Sequence, residues 1–187
     1  TKAGAKPGDV LVLTKPLGTG LVISAIKAHK ASEEHISLVT KCMVQLNKTA
    51  SGVMIEVGVH SCTDITGFGL MGHGLEMADA SKVTLLFFAE RIPIFEGCER
   101  YVKMGLIPGV SKLSKIYLQD KIRIDPGVRE ELKDIVFDAQ TSGGLLISVP
   151  KEKVEILCAK LKQRGVATAS VIGEVHEKRD VSIIVML

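Results

Sequence analysis

Short apolar runs bounded by glycine, proline or polar residues recur along the chain. Such runs are typical of buried strands, because β-branched and other apolar side chains pack on both faces of a covered sheet. We predict a strand within 116–124, and strands over 9–14, 59–62, 83–89, 135–137, 145–149, 167–175 and 181–186. The last two ranges are close in sequence, and we expect them to form a hairpin.

Other stretches carry apolar residues at helical spacing, and the clearest of them follows Ser32. Ser32 is a candidate N-cap, and the stripe of its helix runs from Ile36 to Leu46. Asn47 is the candidate cap of the next helix. Helices are predicted over 21–30, 33–46, 48–57, 70–80, within 93–104, over 128–134 and over 150–164. Strands and helices without strict alternation predict an α+β fold, a mixed β-sheet with helices packed on it.

Composition narrows the classes of function. Hydrophobic residues make up 46% and charged residues 24%, which is ordinary for a globular domain. A formal charge of +3 is too small to favour a nucleic acid or an anionic membrane as partner. No apolar run approaches the roughly 18 residues of a membrane span, and no secretory signal precedes the first strand, so we expect a cytoplasmic protein. The four cysteines lack the spacing of a zinc site or a redox pair.

Three glycine-rich crossings follow or precede predicted strands: 14–20 (TKPLGTG), 63–69 (TDITGFG) and 140–144 (QTSGG). Glycine lets backbone N–H groups approach a ligand, and Thr or Ser hydroxyls add donors, so such loops suit phosphate. None matches a dinucleotide or P-loop fingerprint, and each alone could be a tight turn with capping residues. The candidate phosphate contacts are Gly18, Thr19, Gly20, Thr63, Thr66, Gly67, Gly69, Thr141, Ser142, Gly143 and Gly144.

Asp64 lies where a predicted strand ends and the second crossing begins. A carboxylate beside phosphate-binding amides would repel the phosphate unless a cation lay between them, and Mg²⁺ is the usual ion. The alternative is an Asp that only caps a helix or a turn. His73, on the following helix, either faces the ligand or is a structural histidine with its hydrogen bonds satisfied.

In this order, residues 8–20, 62–73 and 137–146 resemble selenophosphate synthetase (selenide, water dikinase), and they match its C-terminal domain only. The resemblance implies membership of a wider superfamily. Aminoimidazole ribonucleotide synthetase, thiamine-monophosphate kinase and a hydrogenase-maturation protein also belong to that superfamily. Gly-Phe-Gly after Asp-Ile-Thr, and Gln-Thr-Ser-Gly-Gly-Leu-Leu, favour the selenophosphate branch. The family usually has Pro where this chain has Ala139, and Pro-Gly-Gly where it has Pro108-Gly109-Val110.

The resemblance implies a fold and a mechanism. The family has two α/β domains with ATP in the cleft between them and with metal ions held by Asp side chains. It transfers the γ-phosphoryl group to selenide, and the products are selenophosphate, AMP and phosphate. The catalytic Cys or selenocysteine and the Lys lie on an N-terminal segment that these 187 residues do not include, so no catalytic residue is expected here.

The resemblance therefore predicts a linker at 1–8 from a missing N-terminal domain and a C-terminal ATP-cleft domain at 9–187. Asp64 is the position that matches a metal ligand of the family. The expected partners are the N-terminal domain, ATP, selenide and, for the full-length protein, a second copy; the chain alone is expected to be inactive. The alternatives are a thiamine-monophosphate kinase or aminoimidazole ribonucleotide synthetase, or a scaffold domain that kept the fold without the chemistry.

Overall fold

Seven strands join into one mixed sheet in the computed structural model, which describes residues 1–187. The strands are β1 (Val10–Leu13), β2 (Ser61–Asp64), β3 (Val83–Phe88), β4 (Ile122–Ile124), β5 (Leu145–Val149), β6 (Ser170–Glu177) and β7 (Ile183–Met186). Their order across the sheet is β2-β5-β1-β6-β3-β7-β4. The four pairings from β2 to β3 are antiparallel, and β3–β7 and β7–β4 are parallel. The predicted fold class, α+β with a mixed sheet, is confirmed.

Eight helices cover this sheet. They are α1 (Thr19–Lys27), α2 (Glu33–Val44), α3 (Lys48–Val57), α4 (Gly69–Ser81), α5 (Cys98–Lys103), α6 (Gly109–Leu118), α7 (Glu130–Ile135) and α8 (Val154–Gln163). The predicted cap of α2 is confirmed, because the Ser32 hydroxyl accepts a hydrogen bond from the His35 N–H at 3.2 Å. Gly58, in the left-handed conformation, ends α3. None of the helices combines the length and apolar character that crossing a bilayer requires.

Helices pack on both faces of the sheet because successive strand residues point to opposite sides. Leu11 and Leu13 of β1 belong to a core of 32 buried residues that includes side chains of α1, α4 and α7. Val10 and Val12 belong to a second core of 10 buried residues, which α3 and α8 cover. Full burial of such a side chain contributes about 1.5–3 kcal/mol, so both faces stabilise the position of β1.

The predicted hairpin of the last two strands is wrong, because β3 lies between β6 and β7. β3 is apolar at almost every position and buried, which is typical of a strand covered on both faces in the interior of a sheet. The connection from β6 to β7 crosses β3 and is held by Thr84. The Thr84 hydroxyl donates to the Val181 carbonyl at 2.7 Å and accepts from the Arg179 N–H at 2.9 Å.

The strand predicted over 135–137 does not form. The apolar residues 135–137 are buried, but they end α7 in a turn in which the Phe137 N–H donates to the Asp134 carbonyl at 3.1 Å. They therefore contribute to the core without pairing in the sheet. The strand predicted within 116–124 is confirmed as Ile122–Ile124, and the start of that range belongs to α6. Apolar runs of this length do not by themselves distinguish a strand from a buried helix end.

Residues 1–8, predicted as a linker, lie along the domain in this structure. The Ser61 hydroxyl donates to the Lys2 carbonyl at 2.6 Å. The Ser81 hydroxyl accepts from the N–H groups of Gly4 and Ala5, each at 3.1 Å. Ala5 is buried in the larger core. This segment therefore covers the outer edge of β2.

Candidate functional site

The three glycine-rich crossings meet at one end of the sheet. β5 lies between β1 and β2 and is antiparallel to both, so the ends of β1 and β2 adjoin the start of β5. The Thr14 N–H donates to the Leu145 carbonyl at 3.1 Å, and the Ile65 N–H donates to the Gly144 carbonyl at 2.9 Å. The first and second crossings are thus both joined by backbone hydrogen bonds to the third.

The first crossing is buried, and its donors are used inside the protein. Gln140 Oε1 accepts from the N–H groups of Gly18 at 3.1 Å and Thr19 at 3.3 Å, and from the Thr19 hydroxyl at 3.1 Å. Asp138 Oδ2 accepts from the Gly20 N–H at 3.0 Å. These bonds satisfy the N-terminus of α1, where a phosphate was expected. The geometry therefore corrects the prediction for Gly18, Thr19 and Gly20, which hold the loops together and leave no donor for a ligand.

Asp138 is the buried carboxyl group at the centre of this network, and sequence reasoning assigned it no role. Burial raises its pKa to about 7, against the opposing effects of the Leu21 N–H, the Gln140 side chain and the Gly20 N–H. Its Oδ1 atom has no hydrogen-bond partner. A protonated carboxyl group suits this position, because an ionised oxygen without a partner is costly in the interior.

The raised pKa of Asp138 predicts how stability depends on pH. Between its ordinary value of 3.8 and about 7, the folded state holds a proton that the unfolded state has lost. The contribution of this group to stability is therefore complete below about pH 4 and falls as the pH rises to about 7. We expect urea unfolding to show that fall in the free energy of unfolding, and Asp138→Asn to flatten it. An equally steep profile in the Asn variant would assign the effect to other groups.

Asp64 is exposed at the end of β2, and its carboxylate makes no hydrogen bond or ion pair within the chain. Its neighbour in register on β5 is Leu145, the residue after Gly144. Thr66 is half-buried and Gly67 is exposed beside it. A carboxylate that points outward with no internal partner is free to bind a cation. The carboxylate of a capping Asp would instead accept a hydrogen bond from the backbone.

Two other candidates in the second crossing are structural. Thr63 is buried, and its hydroxyl donates to the Asp64 carbonyl at 3.2 Å. Gly69 is buried with φ of 68°, and a Cβ there would lie 2.8 Å from the Phe137 carbonyl oxygen. Both residues therefore shape the turn behind the exposed surface and do not line it, which corrects their prediction as phosphate contacts.

The third crossing contains three backbone N–H groups without a hydrogen-bond partner in the chain. The N–H groups of Ser142, Gly143 and Gly144 donate no hydrogen bond within the chain. Thr141 and Ser142 are exposed, and Gly143 and Gly144 are buried. The Thr141 N–H donates to the Thr19 hydroxyl at 2.8 Å. Consecutive amides of this kind bind anions.

Two side chains hold the carbonyl groups of that loop from behind. Lys15 Nζ donates to the Ser142 carbonyl at 2.7 Å and to the Gln45 carbonyl at 2.7 Å. Asn47 Nδ2 donates to the Gly143 carbonyl at 2.9 Å, and its side chain does not cap α3. Burial lowers the pKa of the Lys15 ammonium, and the nearby Cys42 acts in the opposite direction. Sequence reasoning gave neither residue a place in the site, since both lie about a hundred residues or more from the loop that they hold.

His73 fits the structural alternative. It is buried, with Nε2 3.0 Å from the Thr66 hydroxyl and Nδ1 3.1 Å from Glu76 Oε2. Both ring nitrogens are therefore engaged by the protein, and the imidazole positions Thr66.

The chain holds no group of three or more His, Cys, Asp or Glu side chains close enough to bind a metal ion together. At this end of the sheet the Asp64 carboxylate and Ser142 are exposed, and the unpaired N–H groups of the buried Gly143 and Gly144 follow Ser142. This set fits Mg²⁺ shared with phosphate, since that ion commonly takes one or two carboxylates and completes its shell with phosphate oxygens and water. The remaining ligands would come from the phosphate, from water or from another part of the protein.

Residues 6–186 match the family described as AIR synthase related protein, C-terminal domain. The chain belongs to this family. Three relatives named selenide, water dikinase confirm the predicted resemblance. That of Caldanaerobacter subterraneus subsp. tengcongensis is 49% identical over 181 residues, which cover 97% of this chain and 52% of the relative. The relative named selenide, water dikinase 2, from Peptoclostridium acidaminophilum, is 44% identical over 98% of this chain and 53% of the relative. The selenide, water dikinase of Clostridioides difficile is 39% identical, and the match covers 100% of this chain and 53% of the relative.

Solved structures of this AIR synthase related fold agree with the architecture. Thiamine-monophosphate kinase from Stenotrophomonas maltophilia K279a superimposes with a TM-score of 0.69 at 13% identity, over 98% of this chain and 52% of that protein. Hydrogenase maturation protein HypE in complex with ATP superimposes with a TM-score of 0.60 at 20% identity. The match covers 95% of this chain and 45% of HypE. In both comparisons, as with the sequence relatives, this chain spans about half of the longer protein.

Proposed function

We propose that this domain forms one wall of the Mg²⁺-ATP site of a selenide, water dikinase. The reaction converts ATP, selenide and water into AMP, phosphate and selenophosphate. The relatives that share 39–49% of its residues carry that name, and the chain spans about half of their length. The observation that carries the proposal is the unpaired Asp64 carboxylate beside the unused amides of residues 142–144.

The two groups suit different parts of a triphosphate. Asp64 would hold Mg²⁺, which supplies charge neutralisation between the carboxylate and the phosphate oxygens. The amides of Ser142, Gly143 and Gly144 donate to phosphate oxygens without a cation. Lys15 and Asn47 bind the carbonyl groups of the same loop, so the amides are fixed before a ligand arrives. Preorganised donors are effective in phosphoryl transfer because they need not reorient as charge moves.

The rest of the enzyme is assigned to the other half of the protein. The Cys or selenocysteine that acts on selenide, the Lys and most metal-binding carboxylates belong there, and residues 1–8 connect that half to this domain. We place the full-length protein in the cytoplasm as a homodimer. This division explains why a domain with a phosphate-binding wall has no set of side chains that binds a metal by itself.

The products of the full-length protein test this function. With ATP and Mg²⁺, we expect AMP and phosphate to form only when selenide is added, and the 187-residue chain alone to be inactive. Anion-exchange chromatography of the nucleotides measures AMP formation by the full-length protein and by the 187-residue chain. Formation of ADP that depends on thiamine monophosphate would make the protein a kinase of the related type. Absence of any nucleotide turnover in the full-length protein would favour a scaffold.

A further inference from the structure

Helix α6 turns its apolar side chains away from the domain. Ser111 and Ser114 are buried against the protein, together with Leu118 at the end of the helix. Leu113 is 68% exposed and Tyr117 is 86% exposed, and Val110 and Ile116 are exposed beside them. A surface helix normally buries its apolar stripe and exposes its polar side. The inverted arrangement indicates that another surface covers α6.

The exposed side of α6 forms one wall of an apolar groove, and α4 with Phe68 forms the other. The groove has a volume of about 600 Å³, and its lining is mostly hydrophobic. Phe68 is exposed at the start of α4, where a soluble surface rarely carries a large aromatic side chain next to other apolar ones. Glu76 is the charged residue of the lining, and it is already paired with Lys2 at 2.5 Å and His73 at 3.1 Å. The free chemistry of the groove is therefore apolar.

One residue that lines the groove, Phe68, directly follows a loop of the candidate site. Phe68 follows Gly67, so the aromatic ring lies beside the turn that begins at Asp64. On the other wall, the Ser111 hydroxyl accepts from the Ala139 N–H at 3.0 Å, which joins α6 to the residue before the third crossing. Both walls of the groove are therefore next to loops of the candidate site.

We infer that the α4–α6 groove is the surface on which the other half of the same polypeptide docks, through apolar side chains. This inference rests on the proposed function, which needs that half to complete the nucleotide site at the adjoining edge. The relatives contain a second region that is large enough to form a domain, since about half of their length lies outside the region matched by this chain. The position next to Gly67 favours that half over a second copy of this domain, which would cover the site without completing it.

A photo-crosslink in the full-length protein tests the docking surface. We propose the substitution Tyr117→p-benzoyl-Phe, with Ile55→p-benzoyl-Phe as a matched control. Ile55 is also highly exposed, at 73%, but it lies on α3 at the opposite face of the sheet. After irradiation, mass spectrometry should find position 117 joined to a peptide of the other half of the same chain, with a yield at least about fivefold above that at position 55.

Mixing isotopically light and heavy protein separates crosslinks within a chain from those between chains. A crosslink from position 117 to α6 of a second copy would overturn the inference, because the groove would then be a self-association face. A yield at 117 no greater than at 55 would also overturn it. Crosslinking does not require catalysis, so a protein that forms AMP with selenide but lacks the crosslink refutes the docking surface alone. A protein with the crosslink but without that activity refutes the proposed function alone.

Discussion

Asp64→Asn in the full-length protein is expected to lower the rate of selenide-dependent AMP formation by about a hundredfold or more. A bound metal contributes several kcal/mol to a phosphoryl-transfer transition state, and each 1.36 kcal/mol is about a factor of ten in rate. The amide keeps the size of the side chain and removes the charge that would hold Mg²⁺. Because the Asp64 carboxylate has no partner within the chain, the melting temperature should stay unchanged.

Glu152→Gln is the matched control for loss of a negative charge. Glu152 is exposed in the turn before α8, and its carboxylate makes no hydrogen bond or ion pair within the chain. We expect this variant to keep the parent rate and stability. A rate of Asp64→Asn close to that of Glu152→Gln would mean that Asp64 is only a turn residue.

Gly20→Ala should destabilise the 187-residue chain by about 1–3 kcal/mol, the usual cost of inserting a methyl group into a tightly packed interior. A Cβ at position 20 would overlap the Ala139 carbonyl oxygen and would lie 2.6 Å from Asp138 Oδ1. Neither can move without breaking the hydrogen bonds that join the first and third crossings. Urea unfolding measures the change in the free energy of unfolding.

Gly52→Ala is the same change in another helix, and the opposite sign is expected. A Cβ at Gly52, inside α3, meets no atom within 4 Å. Alanine should therefore stabilise the chain by about 0.5–1 kcal/mol through helix propensity. If both variants shifted stability by the same amount in the same direction, the close approach at Gly20 would not hold the loops as described.

Local signals explain the parts of the fold that could be predicted. The Ser32 cap and the αL glycine at position 58 act within one turn of their helices, so the residue type was sufficient to place them. Strand neighbours depend on the whole sheet. The apolar run at 83–89 predicted a buried strand, but nothing local indicated that it would separate β6 from β7.

The candidate site divides in the same way. Asp64 could be identified because a carboxylate at the end of a strand and before a glycine-rich turn is unusual, and the structure leaves it exposed. Composition alone could not show that the glycine-rich start of α1 is bound by Gln140 and Asp138, about 120 residues away. Lys15 and Asn47 were missed for the same reason, since their partners are backbone carbonyl groups that carry no sequence signal.

Binding of Mn²⁺ to the full-length protein tests the central claim most directly, because Mn²⁺ takes the same oxygen ligands as Mg²⁺ and is visible by electron paramagnetic resonance. The titration is made with a non-hydrolysable ATP analogue present, so the result does not depend on turnover. If Asp64 shares a cation with the triphosphate, Asp64→Asn should bind one Mn²⁺ fewer per chain, or bind it at least about tenfold more weakly, while Glu152→Gln matches the parent. An Asp64→Asn titration identical to the parent would contradict the assignment of this domain as a wall of the metal–nucleotide site.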